Sequence, residues 1–220
     1  MSHFLHGVET IDVNQGTASV REVKTGVIGL VGTAPTGAVN ELTLCLNSTD
    51  DAQFGKPTHG TTIPYALKSL RELGAGAILV INVGATAGVA DLIGTTDETG
   101  KRTGLQHFLD GYGIFGFDAK ILIAPYFASV PAVATALEVM ANRLKAVAYT
   151  DLPLGLTPQE AVASRGNVAP LGLDIYQTRS TRVRICYPHR KVYDPVTNGN
   201  RLEPASIAFA GVRAYIDRTQ

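Results

Sequence analysis

The rhythm of apolar and polar positions changes at residue 25. Before it, Val8, Ile11, Val13, Val20 and Val23 are scattered among Glu9, Asp12, Asn14, Arg21, Glu22 and Lys24. Ile11 and Val13 keep the period of two expected of a half-buried strand, and no helical stripe is present. Gly7 and Gly16 punctuate the segment. Extended, residues 1–24 would reach ~75 Å at ~3.3 Å per residue. The pattern predicts an arm with strand character that has few apolar side chains with which to fold alone. Two readings stay open at this level: an edge strand of the same domain, or a strand added to another chain.

From residue 25 short apolar runs alternate with amphipathic ones. Strands are predicted at 27–31, 42–46, 77–83, 120–124, 146–149 and 181–187. The run Ala77-Ile78-Leu79-Val80-Ile81-Asn82-Val83 is the strongest, and its unbroken apolar character fits a strand covered on both faces. Helices are predicted at 64–73, 105–109, 130–145, 157–165 and 204–215. In the first, Ala66, Leu67, Leu70 and Leu73 share a face and Gly74 suits the exit. In the third, Val133, Leu137, Met140 and Leu144 stand at helical spacing. Thr157, Pro158 and Glu160 form a capping-box signature. The polar stretch 93–105 predicts a hairpin or turn, with Asp97–Gly100 as its tight bend. Strand and helix alternate without internal repeats. The expected class is α/β, a mostly parallel or mixed sheet flanked by helices, with an extended N-terminal strand arm.

Composition narrows the function classes. Nineteen Lys plus Arg offset nineteen Asp plus Glu, so the formal net charge is zero, and charged residues are only 17% of 220. Apolar residues reach 45%, too many for a disordered chain. There is no basic excess of the kind a nucleic-acid reader carries. Zero net charge removes an ordinary defence against self-association. Cys45 and Cys186 sit in apolar runs and read as reduced core thiols, which fits a cytosolic compartment. Residues 1–24 lack the continuous apolar stretch of a signal peptide. No apolar run approaches the 18 or so residues of a membrane helix, so no membrane insertion is expected.

Candidate chemistry falls short at each place it is sought. Gly32 and Gly37 have phosphate-loop spacing, but Ala38 and Val39 follow where Lys and Ser/Thr should stand. No Gly-x-Gly-x-x-Gly is present there. His3 and His6 lack a third ligand nearby, and His59, His107 and His189 are dispersed. Cys186, His189 and Asp194 are a conceivable nucleophile set, yet Cys186 lies inside an apolar strand. Asp50-Asp51 and Asp97-Glu98 read as solvated turns. No catalytic, cofactor or metal site is expected, and the protein is not read as an enzyme.

Several stretches, in order, resemble contractile tail sheath proteins of phages and R-type bacteriocins. They are His6-Gly7-Val8-Glu9, Gly16-Thr17 and the run from Thr25 to Ala34; then Ile93-Gly94-Thr95 through Gly100, Thr103-Gly104-Leu105 and Leu109. They continue with Lys120 to Pro125, Leu144 to Ala148, Tyr187-Pro188, Val192-Tyr193-Asp194, Pro204-Ala205-Ser206 and the helix around 210–217. The resemblance covers essentially the whole chain. It implies a structural subunit that polymerises as stacked hexameric rings around an inner tube. It implies contraction that drives the tube through a cell envelope, with baseplate and tail terminator proteins as further partners. It also implies a virion location after assembly in the bacterial host cytoplasm. The resemblance divides the chain into residues 1–24, an arm for inter-subunit strand addition, and residues 25–220, a sheath core domain. Val8, Ile11, Val13, Val20 and Val23 are then the arm's anchoring residues. Family members of this type continue into a Trp-containing stretch and a C-terminal domain, whereas this sequence has no Trp. The competing expectation is a small cytosolic α/β enzyme or ligand-binding module, which would show convergent polar groups beyond the strand ends.

Overall fold

The computed structural model describes residues 26–58, 60–166, 174–194 and 196–219. Val8, Ile11, Val13, Val20 and Val23 lie outside the described residues. The elements run β1 (Ile28–Gly32), β2 (Leu42–Cys45), α1 (Ser48–Asp51), α2 (Ile63–Glu72), β3 (Ile78–Asn82), α3 (Val89–Ile93), α4 (Gly111–Phe115) and β4 (Ile121–Ile123). They continue with α5 (Pro131–Leu144), β5 (Val147–Asp151), α6 (Pro158–Ala163), β6 (Val183–Cys186), β7 (Arg190–Asp194), β8 (Gly199–Glu203) and α7 (Ala205–Thr219). Three-residue-per-turn helices occupy Ala52–Phe54 and Gly104–Asp110.

Six strands form one sheet in the order β2-β3-β1-β4-β5-β6. The neighbours from β3 to β6 pair in parallel, and β2 adds to β3 antiparallel. Ranked by chain order, the parallel strands lie 2-1-3-4-5, a doubly wound arrangement whose direction of winding reverses between β1 and β4. The expected α/β class, with a mixed sheet, is the observed one.

The unbroken apolar run of β3 is explained by its two neighbouring cores. All five residues are buried. Leu79 and Ile81 enter the core beneath α5, with Leu122, Val133, Leu137 and Met140. Ile78 and Val80 enter the opposite core beneath α2 and α7, with Leu67, Leu70, Ile207 and Ala214. Alternate residues therefore feed opposite faces, as pleat geometry demands.

Local signals hold where they were strong. Ala66, Leu67 and Leu70 are buried, and Gly74 takes φ 82° just past the end of α2. At α6, Glu160 N donates to Thr157 Oγ1 (3.3 Å) while Thr157 N donates to Glu160 Oε2 (2.7 Å), closing the capping box. Asp97 N donates to Lys101 O and Gly100 N to Asp97 O, so the polar stretch is a tight hairpin bridged at Thr96 and Arg102. Boundaries shift by one to four residues, most of all toward the end of the chain. The last strand of the sheet begins at Val183, and α7 runs on to Thr219. The segment around Leu105 winds as a three-residue-per-turn helix, packing Leu105 and Phe108 into the α5-side core.

Candidate functional site at the strand ends

In doubly wound sheets, ligands bind outside the carboxyl ends of the strands where the winding reverses. Here that place is bounded by the loop after β1 and the segment after β4. The first two amides of the β1 loop are spent internally. Thr33 N donates to Thr62 Oγ1 (2.9 Å) and Ala34 N to Asn82 Oδ1 (3.0 Å). Thr33 O accepts from both Thr62 N and Ile63 N. A Cβ on Gly32 would stand 2.3 Å from Thr62 Oγ1. Gly32 is therefore required by the close approach of the start of α2. These bonds leave the amides of Thr33 and Ala34 committed rather than open to an anion.

An open groove of about 590 Å³ does lie at this end of the sheet, between Tyr126 and Phe127 after β4 and the β7–β8 hairpin. The hairpin forms its own two-stranded sheet. Its inward residues build a buried charge cluster. Glu203 is fully buried and accepts from Ser69 Oγ (2.7 Å), Arg190 Nε (2.7 Å) and Arg201 Nη2 (2.6 Å). The Arg201 guanidinium stacks 4.0 Å from the Tyr65 ring and donates to Tyr126 Oη. Asp194 accepts from Tyr65 Oη (3.3 Å), Val196 N (3.0 Å) and Thr197 Oγ1 (3.1 Å). Tyr126 holds φ 69°, a costly conformation for a bulky residue, and burial pushes its hydroxyl pKa up to about 12. The charges of Glu203, Arg190 and Arg201 are engaged with one another, leaving Arg201 Nε as the buried polar atom without a partner in this cluster. Chemically the arrangement is a clamp that holds the hairpin against α2. It offers no poised acid, base or nucleophile.

The other candidates resolve in the same direction. Cys45 and Cys186 are free and buried. Burial pushes the Cys45 thiol up to about 12 and raises that of Cys186, so neither is poised as a thiolate near neutral pH. Cys186 Sγ faces Arg184 O, Asp194 is engaged at the hairpin, and burial lowers the pKa of His189. His107 Nδ1 lies 3.0 Å from Asp110 Oδ2. His3, His6 and His59 lie outside the described residues. Asn47 caps α1 by accepting from Asp50 N (3.0 Å), Asp50 Oδ2 accepts from Leu46 N (2.8 Å) in return, and Asp51 pairs with Arg71 (2.7 Å). Among the described residues, no group of three or more His, Cys, Asp or Glu is placed to hold a metal ion, and no helix is long and apolar enough to cross a membrane.

One buried acid stands apart. Asp151, at the end of β5, accepts from Ser206 N (2.9 Å) and from Ser206 Oγ, so it caps the first turn of α7. Burial raises its pKa to about 6, against the opposing pull of those Ser206 and Ala205 bonds.

Sequence reasoning missed the hairpin and the clamp. The hairpin left only a weak signal: strands at 190–194 and 199–203 flank a four-residue connection, 195–198, that ends on Asn198 at φ 49°. The clamp had no local signal, because Ser69 and Glu203 are 134 positions apart.

Comparison with known proteins gives this fold a context. No protein-family model matches the chain. The chain is 35% identical, over 98% of its length, to the tail sheath protein of Burkholderia phage BcepMu. It is 32% identical to a prophage major tail sheath protein of Pseudomonas aeruginosa and 27% identical to the tail sheath protein of Escherichia phage P2. It spans 62%, 54% and 56% of those relatives. Two contracted sheaths share its fold. The anti-feeding prophage helical sheath aligns with TM-score 0.55 at 16% identity, over 97% of this chain and 53% of that one. The sheath complex of the extracellular contractile injection system PVC aligns with TM-score 0.60 at 15% identity, over 100% and 52%. By sequence its relatives are tail sheath proteins, and by fold its neighbours are contractile sheaths.

Proposed function

We propose that the chain is a structural part of a contractile tail sheath subunit. The observation that carries this reading is sequence similarity to phage tail sheath proteins over nearly all of the chain. In this reading subunits polymerise as stacked hexameric rings around an inner tube and contract to drive it through a cell envelope. Baseplate and tail terminator proteins are its further partners, and assembly occurs in the bacterial host cytoplasm before the sheath joins the virion. A bistable lattice of this kind needs no catalytic residue. The clamped hairpin and the buried thiols support a rigid building block rather than an enzyme. Residues 1–24 act as the arm that joins neighbours by strand addition, anchored by Val8, Ile11, Val13, Val20 and Val23. Residues 25–220 form the core domain, and a further domain follows it in the whole subunit. Deleting residues 1–24 from the whole subunit tests the arm. The expected product stays folded by circular dichroism and forms no sheath by electron microscopy; a deletion variant that still builds contractile sheath overturns the assignment.

A further inference from the structure

The last helix is apolar on both faces. Its inner side buries Ile207, Ala210 and Ala214 against the sheet. On the opposite side Phe209, Val212 and Ile216 follow the i, i+3, i+7 spacing of a helical stripe and are 55%, 46% and 40% exposed. This second apolar stripe runs beside the Arg213–Asp217 ion pair and is more apolar surface than one packed face requires. The stripe also borders an unfinished layer. Phe209 stacks on Tyr149 of β5, with ring centroids 6.4 Å apart. The register partner of Tyr149 on β6 is Arg184, which is exposed on the same face of the sheet. This side of the sheet is thus covered by α2 and α7 and stops short at the β5–β6 edge.

The stripe lies within the last 12 residues of a chain that spans only 54–62% of the sheath relatives it matches. We propose that the outer face of α7, together with the Tyr149–Arg184 corner, seats the polypeptide that continues from α7 in the whole subunit. The occupant is an apolar surface of the same polypeptide, brought there by direct continuity with α7. Its effective concentration is high, so modest apolar contacts suffice to hold it. This inference rests on the reading that a further domain follows.

Cysteine protection tests it. Val212→Cys is made in the 220-residue chain and in the chain as its gene encodes it, and each is pulsed with a maleimide. Val162→Cys, 74% exposed on α6, serves as the reference, and the two native thiols are buried. The expected result is labelling of Val212→Cys at least ten-fold slower in the longer chain, with Val162→Cys equally fast in both. Equal labelling of Val212→Cys in the two chains overturns the seat while leaving the further domain intact. Protection that appears only after ring assembly overturns it too, because the cover is then a second subunit. A reading frame that stops at residue 220 removes the further domain and the seat together. As a second measurement, Val212→Asp is expected to leave the melting temperature of the 220-residue chain unchanged. In the longer chain the same change should speed proteolytic cleavage just after residue 219, and an unchanged cleavage rate counts against the seat.

Discussion

The two faces of the sheet are built alike inside and finished differently outside. On one face α5 buries Val133, Leu137, Met140 and Leu144 and turns Thr135, Asn142 and Arg143 outward, with Val139 its one large exposed apolar residue. On the other face α7 buries Ile207, Ala210 and Ala214 and turns Phe209, Val212 and Ile216 outward. The inner stripes answer to the same sheet. The outer stripes differ: α5 turns mainly polar residues outward, whereas α7 adds three large apolar ones beside its Arg213–Asp217 pair. The contrast teaches that a helix's inward pattern reports the fold, while its outward pattern reports the company it keeps.

The largest expected effect sits where the hairpin joins the α7 side. Glu203→Ala strands Arg190 and Arg201 against a buried site and is expected to cost about 3–5 kcal/mol. Urea unfolding measures it, and a loss below about 1 kcal/mol would mean the hairpin is not pinned to the α2 and α7 layer. Next come matched truncations of the inner stripes. Leu137→Ala and Ile207→Ala should each cost about 2–5 kcal/mol, since both side chains are fully buried. A cheap Ile207→Ala would break the claim that both helices are equally rooted in the sheet.

Asp151 gives the α7 side a pH dependence. Its pKa is raised from 3.8 to about 6, so the folded state favours the protonated acid. That contribution is fully present below about pH 4 and is lost as pH rises through about 6. Asp151→Asn, which cannot ionise, should therefore be more stable than the native chain at pH 7, by up to about 3 kcal/mol. The gap should close by pH 4. A gap that does not change between pH 4 and 7 would remove the titration from the cap of α7. The smallest effects belong to the outer stripes. In the 220-residue chain Val139→Ser and Val212→Ser should both stay within about 0.5 kcal/mol of the parent by thermal unfolding. In a chain whose α7 face is covered, only Val212→Ser should become costly.

Much of the fold was legible because its signals are local. The apolar run at 77–83, the spacing of Val133, Leu137, Met140 and Leu144, and the Thr157–Glu160 capping box each lie within a few residues. The hairpin was only weakly legible, because its connection is four residues long and its inner face is charged. Arg190, Arg201 and Glu203 look like surface residues until they are seen paired with one another and with Ser69. The phosphate-loop spacing of Gly32 and Gly37 was set aside on sequence because Ala38 and Val39 follow it. Only the structure supplied the reason for Gly32, which is the start of α2 pressed against it.

By itself the sequence determined the alternation of buried strands and amphipathic helices, the caps that start and stop them, and the placing of the two cysteines in apolar runs. These depend on periodicity and near neighbours, which the chain carries with it. Tertiary structure alone decided that β2 runs antiparallel outside β3 and that winding reverses between β1 and β4. It also decided that Glu203 meets Ser69 and that Phe209, Val212 and Ile216 stand outside the core. Periodicity states how much apolar surface an element presents; only packing assigns each part of that surface to a neighbour, because burial belongs to pairs of surfaces distant in sequence.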